Sequence, residues 1–372
     1  MTGSAAPAAP AAAARLQQLG ADIGALAGMV RGSASPGEKE AAVWAQARLY
    51  EAGLEHVALE PYRWPRTWVW AHLAHVLAGL SRRRAVRVAA AISYELECSG
   101  RLPWLSRWVA PQGHGLNVAG LIPARGKVER TFVLLAHLDA QRSGWMWDPR
   151  LGKPSAKRRA QSPAGALSAF AILTGARPLI ALTAAALADT ALRPTVPGAN
   201  DNASGVAAVL ACAQRLAADP LPHTEVLVAL VGAEESGMGG MRAFLRDHPL
   251  DPQRSFVLSL DTVGSGTPVV ARAEGTVLPH AYRDEDLRVV ERGARAAGLE
   301  PPERWRIGAW TDPILARQAG IPAVSMLSVG PGGAYTNYHR MTDVPERVDL
   351  DCVARCAAIA ESTARTFAAA AA

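Results

Sequence analysis

The stretch that decides the fold is EVLVALVGAEESGMGG, residues 225–240. Its first half, residues 225–231, is an apolar run of strand length, which is typical of a buried strand. Glu234 and Glu235 follow directly. Two adjacent carboxylates at the mouth of a buried sheet are costly unless a cation balances their charge. Glycines around the pair allow the backbone to bend so that the two side chains face different ways. The stretch therefore predicts a buried strand that ends in a cation-binding turn.

The same pattern recurs on both sides of this stretch. Further strands are predicted at residues 56–62, 115–123, 131–136, 255–260 and 323–327. Helical periodicity or helix-forming composition marks residues 12–29, 36–52, 205–217, 239–246, 284–297, 312–319 and 350–367. Strands that alternate with helices predict an α/β fold, here a three-layer α/β/α sandwich around a mixed, largely parallel central sheet.

Ligands of such sheets gather beyond the carboxyl ends of the strands. Metal-binding side chains stand at these positions in the motifs AHLD, GANDNASG, GAEESG, SLDTVG and NYHRMTD. Imidazole nitrogen and carboxylate oxygen suit Zn²⁺, and a pair of metals needs a carboxylate that can bridge them. The candidate ligands are two histidines and three carboxylates: His137, Asp201, Glu235, Asp261 and His339.

The order of these motifs resembles the zinc exopeptidase family that contains bacterial leucyl aminopeptidase, glutamate carboxypeptidase II and the glutaminyl cyclases. The resemblance covers nearly the whole chain, from the N-terminal helices through AHLD, GANDNASG, GAEESGMGG and SLD to AGIPAVSM and YHRMTD. An aminopeptidase-type member is the best match. The resemblance implies an enzyme that hydrolyses the N-terminal residue of peptide substrates and holds two Zn²⁺ per chain.

The resemblance also implies a role for each motif residue. His137 and Asp261 would bind one zinc, Glu235 and His339 would bind the other, and Asp201 would bridge them. Glu234 would be the general base, which takes a proton from the bridging water and delivers it to the leaving amine. Asp139, two residues after the first ligand, would orient His137.

The residues between these motifs have simpler expected roles. Asn200 and Asn202 are expected to be turn and cap residues and are not assigned as ligands. Asp312, ahead of a predicted helix, is expected to be an N-cap. Thr342 and Asp343 are expected to shape the turn before the last helix, with a contact to His339 as the alternative.

Two segments interrupt the α/β alternation. Residues 1–10 are expected to be a disordered lead-in, and residues 11–372 a single zinc-peptidase domain with helical insertions at about 64–112 and 142–195. The second insertion lies between His137 and Asp201, which are 201 − 137 = 64 positions apart. It contains the basic run Lys157, Arg158 and Arg159 and continues into the apolar residues 164–188. We expect a helical hairpin that turns near residues 175–178 and covers or narrows the active site.

The insertions also bear on membrane contact. Residues 67–80 are too short for a membrane span, and residues 164–188 are broken by Arg177 beside Pro178. We expect the two segments to pack together as a helical satellite. A contact with a membrane surface, with Trp68, Trp70 and the neighbouring arginines as anchors, stays open as the alternative.

Composition excludes several other classes of protein. The formal net charge is +6, but the arginines are spread along the chain and no nucleic-acid-binding motif is present, so no nucleic-acid partner is expected. The four cysteines form no CxxC pair and indicate free thiols in a reducing compartment. The N-terminus lacks the pattern of a secretion signal. We therefore expect a cytoplasmic protein, with membrane association as the alternative.

Three alternatives to an aminopeptidase remain. A carboxypeptidase or a dipeptidase of the same fold would use the same metal ligands. A glutaminyl cyclase is less favoured because the full set of five ligands is present. A catalytically inactive binding module is disfavoured because neither the base nor any ligand is lost. Side-chain specificity, the native metal and the oligomeric state are not readable from the sequence.

Overall fold

The computed structural model describes residues 8–148, 150, 159–161, 164–333 and 335–370. Positions 1–7 of the predicted lead-in, and Lys157 and Arg158 of the basic run, lie outside the described residues. The first helix begins at Ala8, within the predicted lead-in.

The helices of the described residues are α1 (Ala8–Ala27), α2 (Pro36–Glu51), α3 (Val69–Ala78), α4 (Arg84–Cys98), α5 (Ser106–Val109), α6 (Ala164–Thr174), α7 (Arg177–Leu192), α8 (Gly205–Ala218), α9 (Gly239–Asp247), α10 (Asp284–Ala296), α11 (Pro313–Gln318) and α12 (Leu350–Ala369). The strands are β1 (Glu55–Pro65), β2 (Gln112–Ile122), β3 (Arg125–His137), β4 (Arg159–Gln161), β5 (Pro222–Val231), β6 (Ser255–Leu260), β7 (Thr267–Glu274), β8 (His280–Ala281), β9 (Glu303–Gly308) and β10 (Ala323–Val329).

The strands form one mixed sheet in the order β1-β2-β5-β3-β6-β10-β7-β9-β4, with β8 paired to β7. The central strands β5, β3, β6 and β10 are parallel to one another. Antiparallel pairs join β1 to β2, β2 to β5 and β7 to β10. The predicted mixed, largely parallel sheet is therefore confirmed, and its central strands all end at one edge.

Helices cover both faces of the sheet, as the predicted sandwich requires. One layer contains α2, α8, α10 and α12, with α1 packed outside α8 and α12. The opposite layer contains α9, which packs on β1, β2 and β5, and α11, which packs on β6 and β10. The strands between these layers are fully buried, β6 along its whole length and β3 over its last six residues. This packing fixes the edge from which the site residues project.

Two strands of more than five residues, β7 and β9, are missing from the prediction. Their sequences, TPVVARAE and ERWRIG, carry charged residues and lack a continuous apolar run. They lie toward one end of the sheet, where fewer side chains need to be apolar. Periodicity alone therefore finds the buried centre of the sheet and misses this end.

The two insertions pack against each other. Helices α6 and α7 form the predicted hairpin, which turns at Gly175 and Ala176. A separate apolar cluster joins this hairpin to α3 and α4 through Val69, Val76, Tyr94, Ile172 and Ile180. Of the two tryptophans named as membrane anchors, Trp68 is partly buried against the same cluster and Trp70 is exposed. Within the described residues, no helix is long and apolar enough to cross a membrane.

The shared core of the insertions can be tested with two neighbouring residues of α6. Ile172 is fully buried in it, whereas Leu173 is 46% exposed. We expect Ile172→Ala to destabilise the insertion core by about 2–5 kcal/mol. Hydrogen–deuterium exchange should then show faster exchange in α3 as well as in α6 and α7. Leu173→Ala is the control and should leave exchange in α3 unchanged; unchanged exchange in α3 for Ile172→Ala would contradict a shared core.

Candidate metal centre

The candidate metal centre lies at the carboxyl edge of the parallel strands. His137 is the last residue of β3, Glu234 and Glu235 follow β5, and Asp261 follows β6. Asp201 lies in the turn before α8, and His339 lies in the loop between β10 and α12. All six side chains are buried. The topology thus brings together residues that are up to 202 positions apart, 339 − 137.

Asp201 lies between the two histidines. Its Oδ1 is 3.3 Å from Nε2 of His137, and its Oδ2 is 3.1 Å from Nε2 of His339. On the first side, Oδ1 of Asp261 lies 3.8 Å from His137 Nε2. On the second side, Oε1 of Glu235 lies 3.2 Å from His339 Nε2. All five side chains therefore meet around Asp201, and ligand atoms of His137, Asp201 and Glu235 lie within 4.8 Å of one another, close enough to hold a metal ion.

Several atoms of this cluster lack a partner. Oε1 of Glu235 and both ring nitrogens of His339 are buried without a hydrogen bond among the described residues. Burying such an atom unsatisfied costs about 1–3 kcal/mol. A divalent cation that binds Glu235 Oε1 and His339 Nε2 would satisfy both atoms. The residues present therefore fit a metal ion, and oxygen with imidazole nitrogen is a donor set that suits zinc.

The titration behaviour of the histidines reflects the negative charge around them. Burial works to lower the pKa of His339, but the negative charges of Glu235 and Asp201 raise it to about 9. Burial also works to lower the pKa of His137, but Asp139, Asp201 and Asp261 raise it well above its usual value. The surrounding carboxylates thus favour a positive charge at both imidazoles, and a bound cation supplies that charge directly.

Asp139 connects the turn after β3 to the turn after β5. Its Oδ1 accepts a hydrogen bond of 3.0 Å from the backbone N–H of Glu234, and its Oδ2 accepts one of 3.1 Å from that of Glu235. Ser33 donates its hydroxyl to the same Oδ2 at 2.6 Å. Oδ1 also lies 3.5 Å from Nδ1 of His137, the ring nitrogen remote from Asp201. Asp139 therefore fixes the positions of the His137 imidazole and of the backbone at Glu234 and Glu235 relative to one another.

The Asp201 turn is held by its neighbours. Asn202 accepts hydrogen bonds from the backbone N–H groups of Gly205 and Thr262, both at 3.0 Å, so it caps α8 and also ties the turn to the end of β6. Asp343 accepts bonds from the backbone N–H groups of Asn200 and Asp201 at 2.8 and 3.1 Å. The alternative contact of Asp343 with His339 is thus replaced by a contact with the Asp201 backbone.

Asp312 differs from its expected role. It stands at the N-cap position of α11, but its side chain makes no capping hydrogen bond, and the next residue is a proline without an N–H group. The carboxylate is instead buried, with Oδ1 unpartnered. Burial raises its pKa well above the usual value, and the charges of Asp139 and Asp261 act in the same direction. Asp312 therefore adds to the excess of buried carboxylates around the centre.

Three further residues support the site and were not found from the sequence. Gln141 donates its amide to Oε2 of Glu235 at 3.0 Å and to the backbone carbonyl of Glu235 at 3.0 Å. Glu38 accepts a bond of 2.9 Å from the N–H group of Ala233. The buried guanidinium of Arg31 donates to the carbonyl groups of Pro197 and Gly198, ahead of Asp201. Each contact spans more than 90 residues of sequence, so no local motif marks it.

The backbone is strained at three points of the centre. Ala233, immediately before Glu234, has φ of 49°; Thr262, immediately after Asp261, has φ of 54°; and His339 itself has φ of 54°. Non-glycine residues rarely adopt positive φ, and such residues concentrate at functional sites. The bend around the two glutamates was expected to use glycines, and Gly237 has φ of 108°; Ala233 also has a positive φ directly before Glu234.

The second insertion reaches the centre through an aromatic contact. The ring of Trp147 meets that of His339 edge-on at a centroid distance of 4.4 Å, and Tyr338 stacks on the same imidazole at 3.6 Å. The turn that carries Trp147 packs on α7. The turn at residues 145–147 therefore carries the contact between the second insertion and the metal centre.

A family model described as peptidase family M28 matches residues 117–364. Among curated proteins, 77 residues are 40% identical to a probable lipoprotein aminopeptidase, LpqL, of Mycobacterium tuberculosis; the match covers 20% of this chain and 15% of that protein.

Solved structures agree in fold. An aminopeptidase from Aneurinibacillus sp. strain AM-1 has a TM-score of 0.58 at 16% identity, with 94% of this chain and 92% of that chain covered. A glutaminyl cyclase from Bacteroides thetaiotaomicron, bound to N-acetylhistamine, has a TM-score of 0.59 at 14% identity, with 94% and 97% covered. A zinc aminopeptidase, BSAP, from Bacillus subtilis has a TM-score of 0.58 at 14% identity, with 94% of each chain covered.

The contact between Asp343 and the Asp201 backbone generates a prediction for metal affinity. We expect Asp343→Ala to weaken zinc binding about 10- to 100-fold, because the turn that carries Asp201 loses both acceptor oxygens. Competition with a coloured zinc chelator measures the change. Asp351→Ala, which removes an exposed carboxylate of α12, is the control and should bind zinc as the unmodified chain does. Equal affinities in the two variants would show that Asp343 does not support the centre.

Proposed function

The chain belongs to peptidase family M28, and from this premise we propose that it is a zinc-dependent aminopeptidase that removes the N-terminal residue of peptides with two zinc ions. The observation that carries the proposal is the position of Asp201, with one carboxylate oxygen toward each histidine. His137 and Asp261 would hold one zinc, and Glu235 and His339 would hold the other. The aminopeptidases of similar fold support the choice of reaction.

When bound, the zinc ions polarise the scissile carbonyl and lower the pKa of water toward neutrality. The proton transfer is assigned to Glu234. This residue lies in the same turn as Glu235, its backbone is fixed by Asp139, and its side chain borders the cavity beside the centre. Burial raises the pKa of the Glu234 carboxyl well above its usual value. Such a carboxylate takes a proton from the attacking water and returns it to the leaving amine.

The competing functions differ in which end of the substrate they recognise. A carboxypeptidase or dipeptidase would use the same five ligands, and the glutaminyl cyclase fold is similar as well. An inactive binding module would have no need to keep a base and a complete ligand set at a strained, buried centre. Assays with a panel of peptide substrates distinguish the enzymes from one another. Turnover of any substrate distinguishes all of these enzymes from an inactive binding module.

We further propose that the joined ends of the two helical insertions contact an anionic membrane surface. Arg87 links the ends by donating to the carbonyl of Leu173 at 3.2 Å and to that of Ser81 at 3.1 Å. Large apolar side chains are exposed around this link: Leu77, Leu80, Ile92, Phe170 and Leu173. Arg82, Arg83, Arg84 and Arg177 are exposed beside them. Residues 61–94 and 164–188 contain no aspartate or glutamate. Apolar side chains with a cationic rim suit an interface with anionic lipid.

Glu234→Gln tests the catalytic part of the proposal. We expect this variant to keep its zinc and to lose about 10²- to 10⁴-fold in kcat, because glutamine cannot accept the proton. The assay uses peptides with free or blocked N-termini, and zinc content is measured in the same samples. Glu300→Gln, an exposed substitution of the same type, is the control.

The pattern of cleavage decides among the alternatives. Cleavage restricted to free N-termini is expected for the unmodified chain. Cleavage of N-blocked peptides from the carboxyl end would replace the aminopeptidase by a carboxypeptidase, and full activity in Glu234→Gln would remove the base assignment.

A vesicle experiment tests the membrane contact. Each exposed arginine near an anionic surface contributes about 1 kcal/mol, so replacing Arg82, Arg83 and Arg84 by alanine should weaken binding to phosphatidylglycerol-containing vesicles about 100-fold. Sedimentation with the vesicles measures the bound fraction. Arg288, Arg292 and Arg295 of α10, replaced together, give a control of equal charge change. Equal loss in both triple variants would indicate only a general charge effect and contradict a defined contact surface.

A further inference from the structure

Two arginine side chains meet over one tryptophan beside the turn that carries Glu235. Trp64, near the end of β1, is buried, and its Nε1 donates a hydrogen bond of 3.1 Å to the backbone carbonyl of Ser236. Ser236 directly follows the candidate metal ligand Glu235. The Cζ atoms of Arg107 and Arg242 lie over the indole, 5.9 and 5.8 Å from the ring centroid. Along these contacts, one residue and one indole ring separate the arginine pair from the metal centre.

The arginine pair joins the first insertion to α9. Arg107 lies in α5 of the insertion, and its neighbour Ser106 borders the cavity beside the metal centre. Arg242 lies in α9 and donates a hydrogen bond to the backbone carbonyl of Gly100, which also belongs to the insertion. Met238, directly before α9, borders the same cavity. The pair is therefore held next to cavity-lining residues of both segments.

The arginine pair has no negative charge to balance it among the described residues. Neither guanidinium forms an ion pair there, and Nε of Arg242 is buried without a hydrogen-bond partner. Burial lowers the pKa of Arg242, and the charge of Arg107 acts in the same direction. Residues 98–128 and 236–246, which carry the pair, contain no aspartate or glutamate. A bound anion would relieve the repulsion between the two cations.

A carboxylate is the anion that suits this pair. The planar guanidinium presents N–H groups in a fork that matches the two oxygens of a carboxylate, and it can stack on an aromatic face at the same time. Arg107 is exposed, so an anion can reach its guanidinium. The contacts with Trp64 and Gly100 limit the movement of the arginines, which reduces the entropy lost on binding.

We propose that Arg107 and Arg242, held over Trp64, bind a carboxylate, and that this carboxylate is the C-terminus of a short peptide whose N-terminal residue lies at the metal centre. The second part rests on the proposed aminopeptidase function. An extended peptide of three or four residues spans about 10–14 Å, which suits a site one residue and one indole ring beyond the metal ligands. The pair thereby favours short peptides with a free carboxyl end over amidated ones.

The test compares the tripeptide Leu-Ala-Ala with its C-terminal amide. The unmodified, zinc-loaded chain is expected to release leucine from the acid with about 10-fold higher kcat/KM, because only the acid offers a charged acceptor to the arginines. Replacing Arg107 and Arg242 together by glutamine should bring the ratio of acid to amide close to one. The matched control replaces Arg101 and Arg246, exposed arginines of the same two segments, and should keep the ratio.

A single variant covers the case in which the double variant does not fold. Arg107 is exposed, so Arg107→Gln leaves the packing of α5 in place. It should lower the preference for the acid by about 3-fold, in the range of an exposed charge contact. An equal kcat/KM for acid and amide in the unmodified chain, or an unchanged preference in a folded double variant, would overturn the carboxylate site and leave the aminopeptidase proposal intact.

A binding measurement separates failure of the site from failure of the proposed function. Isothermal titration of zinc-loaded Glu234→Gln with both peptides should show about 10-fold tighter binding of the acid. If the unmodified chain cleaves neither peptide while this arginine-dependent preference persists, the aminopeptidase proposal fails and the carboxylate site stands. N-acetylalanine has a carboxylate but no free amine. Its arginine-dependent binding, with no preference between the two peptides, would assign the site to a free carboxylate and overturn the role of the peptide C-terminus.

Discussion

The carboxylate of Asp201 lies between two imidazoles that come from distant parts of the chain, and the rest of the centre is built around this contact. Several buried carboxylates meet at the same point, which is unfavourable unless positive charge is present. Neutral hydrogen-bond donors compensate part of the negative charge of these carboxylates. Backbone N–H groups donate to Asp139 and Asp343, and the side-chain amide of Gln141 donates to Glu235. The atoms left without a hydrogen bond, on Glu235 and His339, are among those that the proposed zinc ions would bind.

The sheet explains why the candidate ligands can be recognised from the sequence. A parallel strand that is buried on both faces is an apolar run, so β3, β5, β6 and β10 can be recognised in the sequence. The polar residues that follow these strands can be recognised with them. All five candidate ligands were read from the ends of predicted strands, although Asp201 and His339 lie in turns away from a strand end. The expected roles of all five came from the motif resemblance. The charged strands β7 and β9 carry no comparable signal, and they were missed.

The supporting residues could not be predicted for a different reason. Arg31, Glu38 and Gln141 act on the centre through contacts with segments about 90 to 200 residues away in sequence. In the sequence, Asp312 has the position of an ordinary N-cap residue. Its burial beside other carboxylates is evident only in the folded structure. Asp343 was placed correctly in a turn, but its partner was the Asp201 backbone, a contact that depends on the tertiary fold. The cavity beside the centre depends in the same way on how the insertions pack.

The most direct test of the proposed two-zinc centre is anomalous X-ray diffraction from zinc-loaded crystals, recorded at the zinc absorption edge. We predict two anomalous peaks, one on each side of the Asp201 carboxylate, with His137 and Asp261 around the first and Glu235 and His339 around the second. A single peak, or two peaks that do not share Asp201, would contradict the central claim that this carboxylate organises a two-zinc centre.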